Sequence, residues 1–469
     1  MNGIYGMHGV KLFTGAAVSV LLLALAGPTP AMADTIEAAL VRAYQNNPQL
    51  NAQRAQVRST DENVPQALSG YRPKVNVTLG TGYQYQDIQA VQGNSGIHNP
   101  NPLQPNSASL TVNQTLYNGN QTANKTRAAE SQVSGSREAL RVLEQTVLLQ
   151  AATAYMDYLR DAATLEVQRS NVRVLEQTLK QTRDRFNVGE VTRTDVAQSE
   201  AQLAAGKTQA LTAESNLTTT RANFRRIIGN EPSNLAPGSP VDRFLPQTIA
   251  SAVNLSLVEN PSVTAAMYGI DVNYLQVKIN EGALLPTVTV QAGISTAYQQ
   301  TLTVFRTNTA SAIATASVPI FQGGAEYSLI RQSKENLAQQ RLNLETTRDQ
   351  SRANVVQAWG QLEAGKAQVQ SAQAQVTASE IALNGVREEA KAGQRTTLDV
   401  LNAQQALVNA RVALVTAQHA RVVASYSVLS AVGRLAPQVL GLNTTVYDPS
   451  VHYQQVRDSW VGVRTPDGR

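Results

Sequence analysis

The chain has 469 residues, 42% hydrophobic, 16% charged and only 5% aromatic. So little aromatic volume argues against a large globular core and for long helices packed side by side. A net charge of +5, from 39 Lys+Arg and 34 Asp+Glu, is too slight and too dispersed for a nucleic-acid surface. There is no cysteine, and the histidines are scattered at His8, His98, His419 and His452. Disulfides, thiolate chemistry, lipid attachment to a cysteine and paired metal ligands are thereby excluded. No phosphate loop or nucleophilic serine motif is present, so neither an enzyme nor a cofactor or metal site is expected.

In chain order, Lys11 comes first, then an apolar run from Leu12 to Ala26, Gly27-Pro28 and the small-x-small triplet Ala31-Met32-Ala33. This predicts a secretory signal peptide over residues 1–33, cleaved before Asp34. The apolar run is shorter than the ~20 residues a membrane helix needs. No later stretch approaches that length, so any crossing further along must be made by a β-barrel.

From Asp34 onward the chain is written twice. Asn47-Pro48, Pro73, Gly80 and Tyr85 recur as Asn260-Pro261, Pro286, Gly293 and Tyr298 at an offset of 213. Tyr117-Asn118-Gly119, Gly189, Asp195-Val196 and Gly229 recur as Phe321-Gln322-Gly323, Gly393, Asp399-Val400 and Gly433 at an offset of 204. The difference of 9 residues falls between two strand segments, where Gly93-Asn94-Ser95-Gly96 and Asn99-Pro100-Asn101-Pro102 read as a loop that tolerates insertion. The predicted first repeat covers 34–240, with helices 35–70, strands 73–118 and coiled-coil helices 119–229. The second covers 241–436, with helices 247–283, strands 286–321 and coiled-coil helices 324–433. A partly disordered tail is expected over 437–469, and its run from Tyr447 to Arg469, with Pro449, Pro466 and few apolar residues, reads as weakly ordered.

In each repeat proline sits just inside a helix start, where it is well tolerated. In the strand that follows, Val75, Val77, Leu79, Thr81, Tyr83 and Tyr85 alternate with Asn76, Thr78, Gly80, Gly82, Gln84 and Gln86. Val288, Val290, Ala292 and Ile294 alternate in the same way with Thr289, Gln291, Gly293 and Ser295. Returning strands are expected around Leu110 to Leu116 and Ala312 to Ile320. Lengths of about ten residues suit tilted membrane strands. Four strands cannot close a barrel when the smallest use about eight, so closure requires oligomerisation. Tyr83, Tyr85 and Tyr298 are candidates for an aromatic girdle.

Asn120 to Asn187 contains no proline, and ~68 residues at 1.5 Å each would reach roughly 100 Å. Apolar residues recur by sevens at Val133, Leu140, Val147 and Ala154, step by four, and continue through Tyr158, Leu165, Val172, Leu179 and Phe186. The second copy slips at the equivalent place, between Leu337, Leu344, Ser351, Ala358 and Leu362, Val369, Val376, Leu383. Such a stutter locally unwinds a left-handed coiled coil. Return helices about half as long carry Val196, Leu203, Ala210, Leu217 and Phe224, or Val400, Leu407 and Leu414. Tyr155 and Trp359 read as packing residues. At the turns, Gly189 and Gly393 suit a left-handed residue ending the long helix. Thr194-Asp195, and Thr396-Thr397 with Asp399, suit the start of the next. Arg395 aligns with Val191, so capping alone leaves an arginine without a role in one copy only.

This order of elements resembles the TolC family of outer-membrane channel proteins over essentially the whole chain after residue 33. The resemblance is carried by the duplicated Asn-Pro helix start, by Gly70-Tyr71-Arg72-Pro73 before the first strand, and by two turn motifs. Those are Val188-Gly189-Glu190-Val191-Thr192-Arg193-Thr194-Asp195-Val196 and Ala392-Gly393-Gln394-Arg395-Thr396-Thr397-Leu398-Asp399-Val400. The fold it implies is mainly α with a membrane β-barrel: a homotrimer with a twelve-stranded barrel in outer-membrane lipid and a coiled-coil tunnel across the periplasm of a Gram-negative cell. The function it implies is a passive exit duct for type I protein secretion or multidrug efflux. The implied partners are a periplasmic adaptor, an inner-membrane ABC or proton-driven transporter, and exported protein or small-molecule cargo.

The resemblance further implies that Arg395 latches onto Thr194 and Asp195 of an adjacent coiled coil. Asp399, with Asn402 beside it, would line an acidic pore ring, and the turns at Gly189 and Gly393 would meet the adaptor. Asn402 stands where the family has a second ring aspartate and Ala390 where it has a linking tyrosine, which implies a weaker cation filter and a looser latch. The competing class is an exported coiled-coil scaffold or adhesin that conducts nothing. Four amphipathic strands of bilayer length have no use in such a scaffold.

Overall fold

The computed structural model describes residues 34–86, 89–92, 95–98, 101–301, 304–466 and 468. The signal-peptide segment 1–33 and parts of the expected loop, 93–94 and 99–100, lie outside the described residues. The first repeat opens with α1 (Ile36–Asn46), α2 (Pro48–Asp61) and α3 (Asn63–Leu68). Asn47 ends α1 and starts α2: its Oδ1 accepts from Gln49 N at 2.9 Å and Leu50 N at 3.3 Å, while Pro48 fills the first turn. Its Nδ2 donates to Ile227 O at 3.3 Å. Asn260 repeats both actions, accepting from Ser262 N at 2.9 Å and donating to Ala431 O at 3.0 Å. The duplicated Asn-Pro pair is thus both a cap and a tie to the return helix, and only the first role is legible from the motif.

Strands β1 (Lys74–Thr81), β2 (Gln84–Gln86), β3 (Gln89–Gln92), β4 (Ser95–His98), β5 (Asn101–Leu103) and β6 (Asn106–Asn118) follow. The alternation expected to run unbroken from Val75 to Tyr85 is interrupted at 82–83, where Gly82 N donates to Pro105 O at 3.0 Å. Beyond that break β2 pairs with β5 and β3 with β4, so the inserted residues extend the hairpin instead of forming a plain loop. After α4 (Gln121–Asn187) and α5 (Arg193–Ile228) come α6 (Ile249–Glu259), α7 (Pro261–Gly282), β7 (Thr287–Thr301) and β8 (Val304–Ser317). The chain continues through α8 (Ala325–Lys391), α9 (Thr397–Val432), α10 (Pro437–Leu440) and α11 (Ser450–Val456).

The main sheet has the order β1-β6-β7-β8, antiparallel throughout, so the two repeats join through β6 and β7. Register places Val77 beside Leu110, Leu110 beside Ile294 and Ile294 beside Ala310. The neighbouring row is Thr78, Ser109, Ser295 and Thr309. Side chains alternate with period two, so one face is apolar and the other lined with hydroxyls. Where strands give way to helices, Gly119 and Gly282 meet back to back. A Cβ on Gly119 would lie 2.3 Å from the Gly282 carbonyl oxygen, and one on Gly282 would lie 2.5 Å from that of Gly119.

The long helices α4 and α8 are 67 residues each and the return helices α5 and α9 are 36 each. Val133, Leu140, Val147, Ala154, Leu165 and Leu179 are buried, as are Leu337, Leu344, Ser351, Ala358, Leu362, Val376 and Leu383. Phe186 is exposed instead, and in α5 the buried seam is Ser199, Gly206 and Ala213, whereas Val196, Leu203 and Ala210 are only half-buried. The cause is close approach: Leu175 fills the space of a Cβ on Gly206, 2.8 Å from its position. At mid-height α1, α2, α4, α5 and α9 converge on Tyr44, Leu50, Tyr155, Phe224, Tyr426 and Leu429. The Tyr155 hydroxyl lies 2.7 Å from Asp34 O and 2.6 Å from Ala236 O, tying the linker to this core. Burial pushes the Tyr155 and Tyr426 phenols well above their ordinary range.

The segment after Gly433 differs from the weakly ordered tail expected of it. Among its described residues, Tyr447 N donates to the Tyr44 hydroxyl at 3.1 Å, and His452 Nδ1 lies 3.0 Å from the buried Asp61 carboxylate. Composition undervalued it because these contacts are polar and distant in sequence.

Candidate functional site: the two helix-to-helix turns

Each long helix ends on a glycine with a left-handed backbone, φ 80° at Gly189 and 77° at Gly393, where other residues are strained. The turn then closes with Glu190 N donating to Arg185 O, and Gln394 N to Glu389 O, both at 2.9 Å. Thr192 and Thr396 cap the next helices. Thr192 Oγ1 accepts from Asp195 N at 3.3 Å, and Asp195 Oδ2 accepts from Thr192 N at 2.9 Å and its hydroxyl at 2.7 Å. Thr396 and Asp399 repeat this box at 3.3, 3.0 and 2.9 Å. Hydrogen bonds from the Thr192 hydroxyl and backbone hold the Asp195 carboxyl below the usual carboxylate range; the Thr396 backbone and hydroxyl do the same for Asp399. Both are therefore ionised at neutral pH.

The cap of the first turn is Thr192, two residues before the expected Thr194, which is exposed in the first turn of α5. An open cleft separates the tips, with Arg185, Thr192 and Asp195 on one wall and Arg387, Arg395 and Thr396 on the other. The structure thus brings Arg395 and Asp195 to one cleft. Within the protomer, however, Arg395 Nε donates to Glu389 at 2.9 Å. Asn402 is exposed one turn along α9 from Asp399, so the two share a side of the helix.

Glu389 and Glu190 are the residues that sequence reasoning missed. Arg185 Nε donates to Glu190 at 2.9 Å, so each turn carries one bridge of opposite polarity: cation on the long helix in the first copy, anion in the second. Alignment of Arg185 with Glu389 contained that signal. The Glu389 carboxylate raises the already high Arg395 pKa further. Above the turns, Arg387 donates to Gln404 at 3.0 Å, Gln404 reaches the buried Asn171 at 3.4 Å and Gln202 reaches Gln405 at 3.1 Å. The amide pairs Gln404–Asn171 and Gln202–Gln405 join the two coiled coils. Among the described residues no cluster of acidic or histidine side chains could hold a metal, and no helix is long and apolar enough to cross a membrane.

The family described as "Outer membrane efflux protein" matches residues 39–230 and 252–434, one segment per repeat. The outer membrane efflux protein BepC of Brucella suis is 40% identical over 98% of both chains. The outer membrane protein TolC of Escherichia coli is 26% identical over 87% of this chain and 85% of its own. The Campylobacter jejuni CmeC outer membrane channel superposes with a TM-score of 0.77 at 17% identity, covering 90% of this chain and 89% of that one. The chain belongs to the TolC family of outer membrane efflux proteins and resides in the outer membrane.

Proposed function

We propose that three copies of this chain form one passive duct. Each gives its four strands to a twelve-stranded barrel, and the helices continue it as a tunnel across the periplasm. The observation that carries this reading is the four-stranded sheet: among the described residues β1 and β8 have no outer neighbours, and an exposed apolar row crosses all four strands. Unpaired strand edges are costly in hydrocarbon, and pairing β8 of one copy with β1 of the next removes them. The apolar row then meets lipid and the hydroxyl row meets water.

The efflux named in the family and in BepC supports a cargo of small molecules; the duct architecture suits type I protein secretion equally. Energy comes from an inner-membrane ABC or proton-driven transporter, through a periplasmic adaptor that seats on the turns at Gly189 and Gly393. At the closed mouth Arg395 exchanges Glu389 for Thr194 and Asp195 of an adjacent coiled coil, and three copies of Asp399, flanked by Asn402, present an anionic ring. An exposed bridge of this kind is weak, so an adaptor that prefers the open mouth shifts the balance.

The test is recovery of heat-sensitive trimers from outer-membrane fractions, followed by single-channel recording in planar bilayers. Trimers that never conduct would return the chain to the scaffold reading. Loss of drug resistance, of secreted proteins, or of both on gene deletion identifies the cargo.

A further inference from the structure

The stretch after α11 serves none of the roles above, yet it follows a definite path. His452 is held by Asp61 at the end of α2, and the Arg137 guanidinium stacks 5.1 Å from the Tyr453 ring. From there the chain climbs α4 toward the sheet. Arg457 Nη2 lies 3.4 Å from Glu130 Oε1, and Arg72 Nη1 then donates to Ser459 O at 2.6 Å with its guanidinium 4.7 Å over the Trp460 ring. From Arg137 to the start of α4 at Gln121 the climb is roughly 24 Å at 1.5 Å per residue. Arg72 stands two residues before β1, so the path ends where the sheet begins.

What the segment displays there is apolar. Trp460 is 67% exposed, Val461 90% and Val463 101%. Tyr71, next to Arg72 in sequence, is exposed as well, and the Arg72 guanidinium over the Trp460 ring supplies positive charge beside the patch. Aromatic rings and a long cationic side chain at the end of a lipid-facing surface match the headgroup level of a bilayer. A segment meant for water has no reason to hold these side chains out.

We propose that residues 459–463 are a membrane-interface anchor. It seats Trp460, Val461 and Val463 at the boundary between headgroups and acyl chains in the periplasmic leaflet, with Arg72 facing lipid phosphates. The anchor rests on the reading that the sheet crosses the bilayer, and it adds a second grip on lipid below the barrel.

The chain has 2 tryptophans, Trp359 and Trp460. Full-length Trp359→Phe protein, reconstituted into phosphatidylethanolamine and phosphatidylglycerol vesicles, therefore reports Trp460 alone. If that variant fails to fold, the difference spectrum between the native chain and Trp460→Phe gives the same signal. The expected result is blue-shifted emission, quenched more by lipids labelled near the headgroup than by lipids labelled deep in the acyl chain. Arg72→Ala should reduce that lipid quenching. Quenching by aqueous acrylamide but not by labelled lipid would overturn the proposal, and so would protection from both, which would mean that a second copy covers the segment. The same vesicles are scored for conductance. Lipid quenching without conductance supports the anchor and removes the duct, and conductance without lipid quenching removes the anchor alone.

Discussion

The middle of the molecule and its helical tips lie on the same helices and are held by different forces. At mid-height Tyr44, Tyr155, Phe224, Tyr426 and Leu429 are each at most 1% exposed. At the tips, cohesion comes from exposed bridges such as Arg183–Glu200, Arg185–Glu190 and Arg395–Glu389. Burial is strong and unforgiving, while exposed ion pairs are weak and exchangeable. A shape change is therefore affordable at the tips and costly at the middle.

The sharpest way to break this comparison is at Phe224, which packs 6.4 Å from the Tyr155 ring and 6.0 Å from Tyr158. Phe224→Ala should cost about 3–5 kcal/mol, read as a lower urea midpoint; an unchanged midpoint would deny that stability is concentrated there. Next come two helical glycines. Gly206→Leu drives a side chain into Leu175 and should cost about 1–3 kcal/mol. Gly385→Ala, at a position with nothing within 4 Å, should instead gain about 0.5–1 kcal/mol. Equal effects at the two sites would dissolve the seam through Gly206.

Smaller effects belong to the caps. Thr192→Ala or Thr396→Ala should each cost about 1 kcal/mol and speed amide exchange in that turn alone. Because the Asp195 and Asp399 pKa values are lowered on folding, their caps contribute fully above the ordinary carboxylate range and fade as pH falls through the folded values. A spin label on Gln394→Cys, in a chain with no native cysteine, should gain mobility on acidification, and Asp399→Asn should abolish that pH dependence. The least effect is expected at Arg395. Arg395→Ala should raise the open-channel population modestly, and Asp399→Asn should weaken block by multivalent cations. Exchanging Glu389 and Arg395 separates the two uses of the arginine: a restored closed state would show that the bridge within the turn suffices, without Asp195 of a neighbouring coiled coil.

Much of the fold was legible because duplication lets each copy check the other. The Asn-Pro starts, the long proline-free helices, the stutter and the glycine turns each occur twice, and period-two alternation marked the sheet. Less visible were features that depend on which side chain comes closest. Gly206 looked unremarkable in a helical run, since its partner Leu175 lies on another helix. The sequence singles out the unmatched arginine at position 395 but not Glu389, because the two copies reverse the polarity of the bridge and alignment by residue type hides it. The ordered tail escaped for a similar reason: His452 and Asp61 are 391 positions apart.

The reciprocal contact of Gly119 with Gly282 has a consequence for ancestry. Each residue occupies the space where the other would need a side-chain carbon, and one belongs to either half of the duplicated chain. Neither position can then gain a side chain without the other giving way in step. Once fused, the halves became a single heritable unit, and lineages of this kind should diversify in their surface loops while this junction stays fixed.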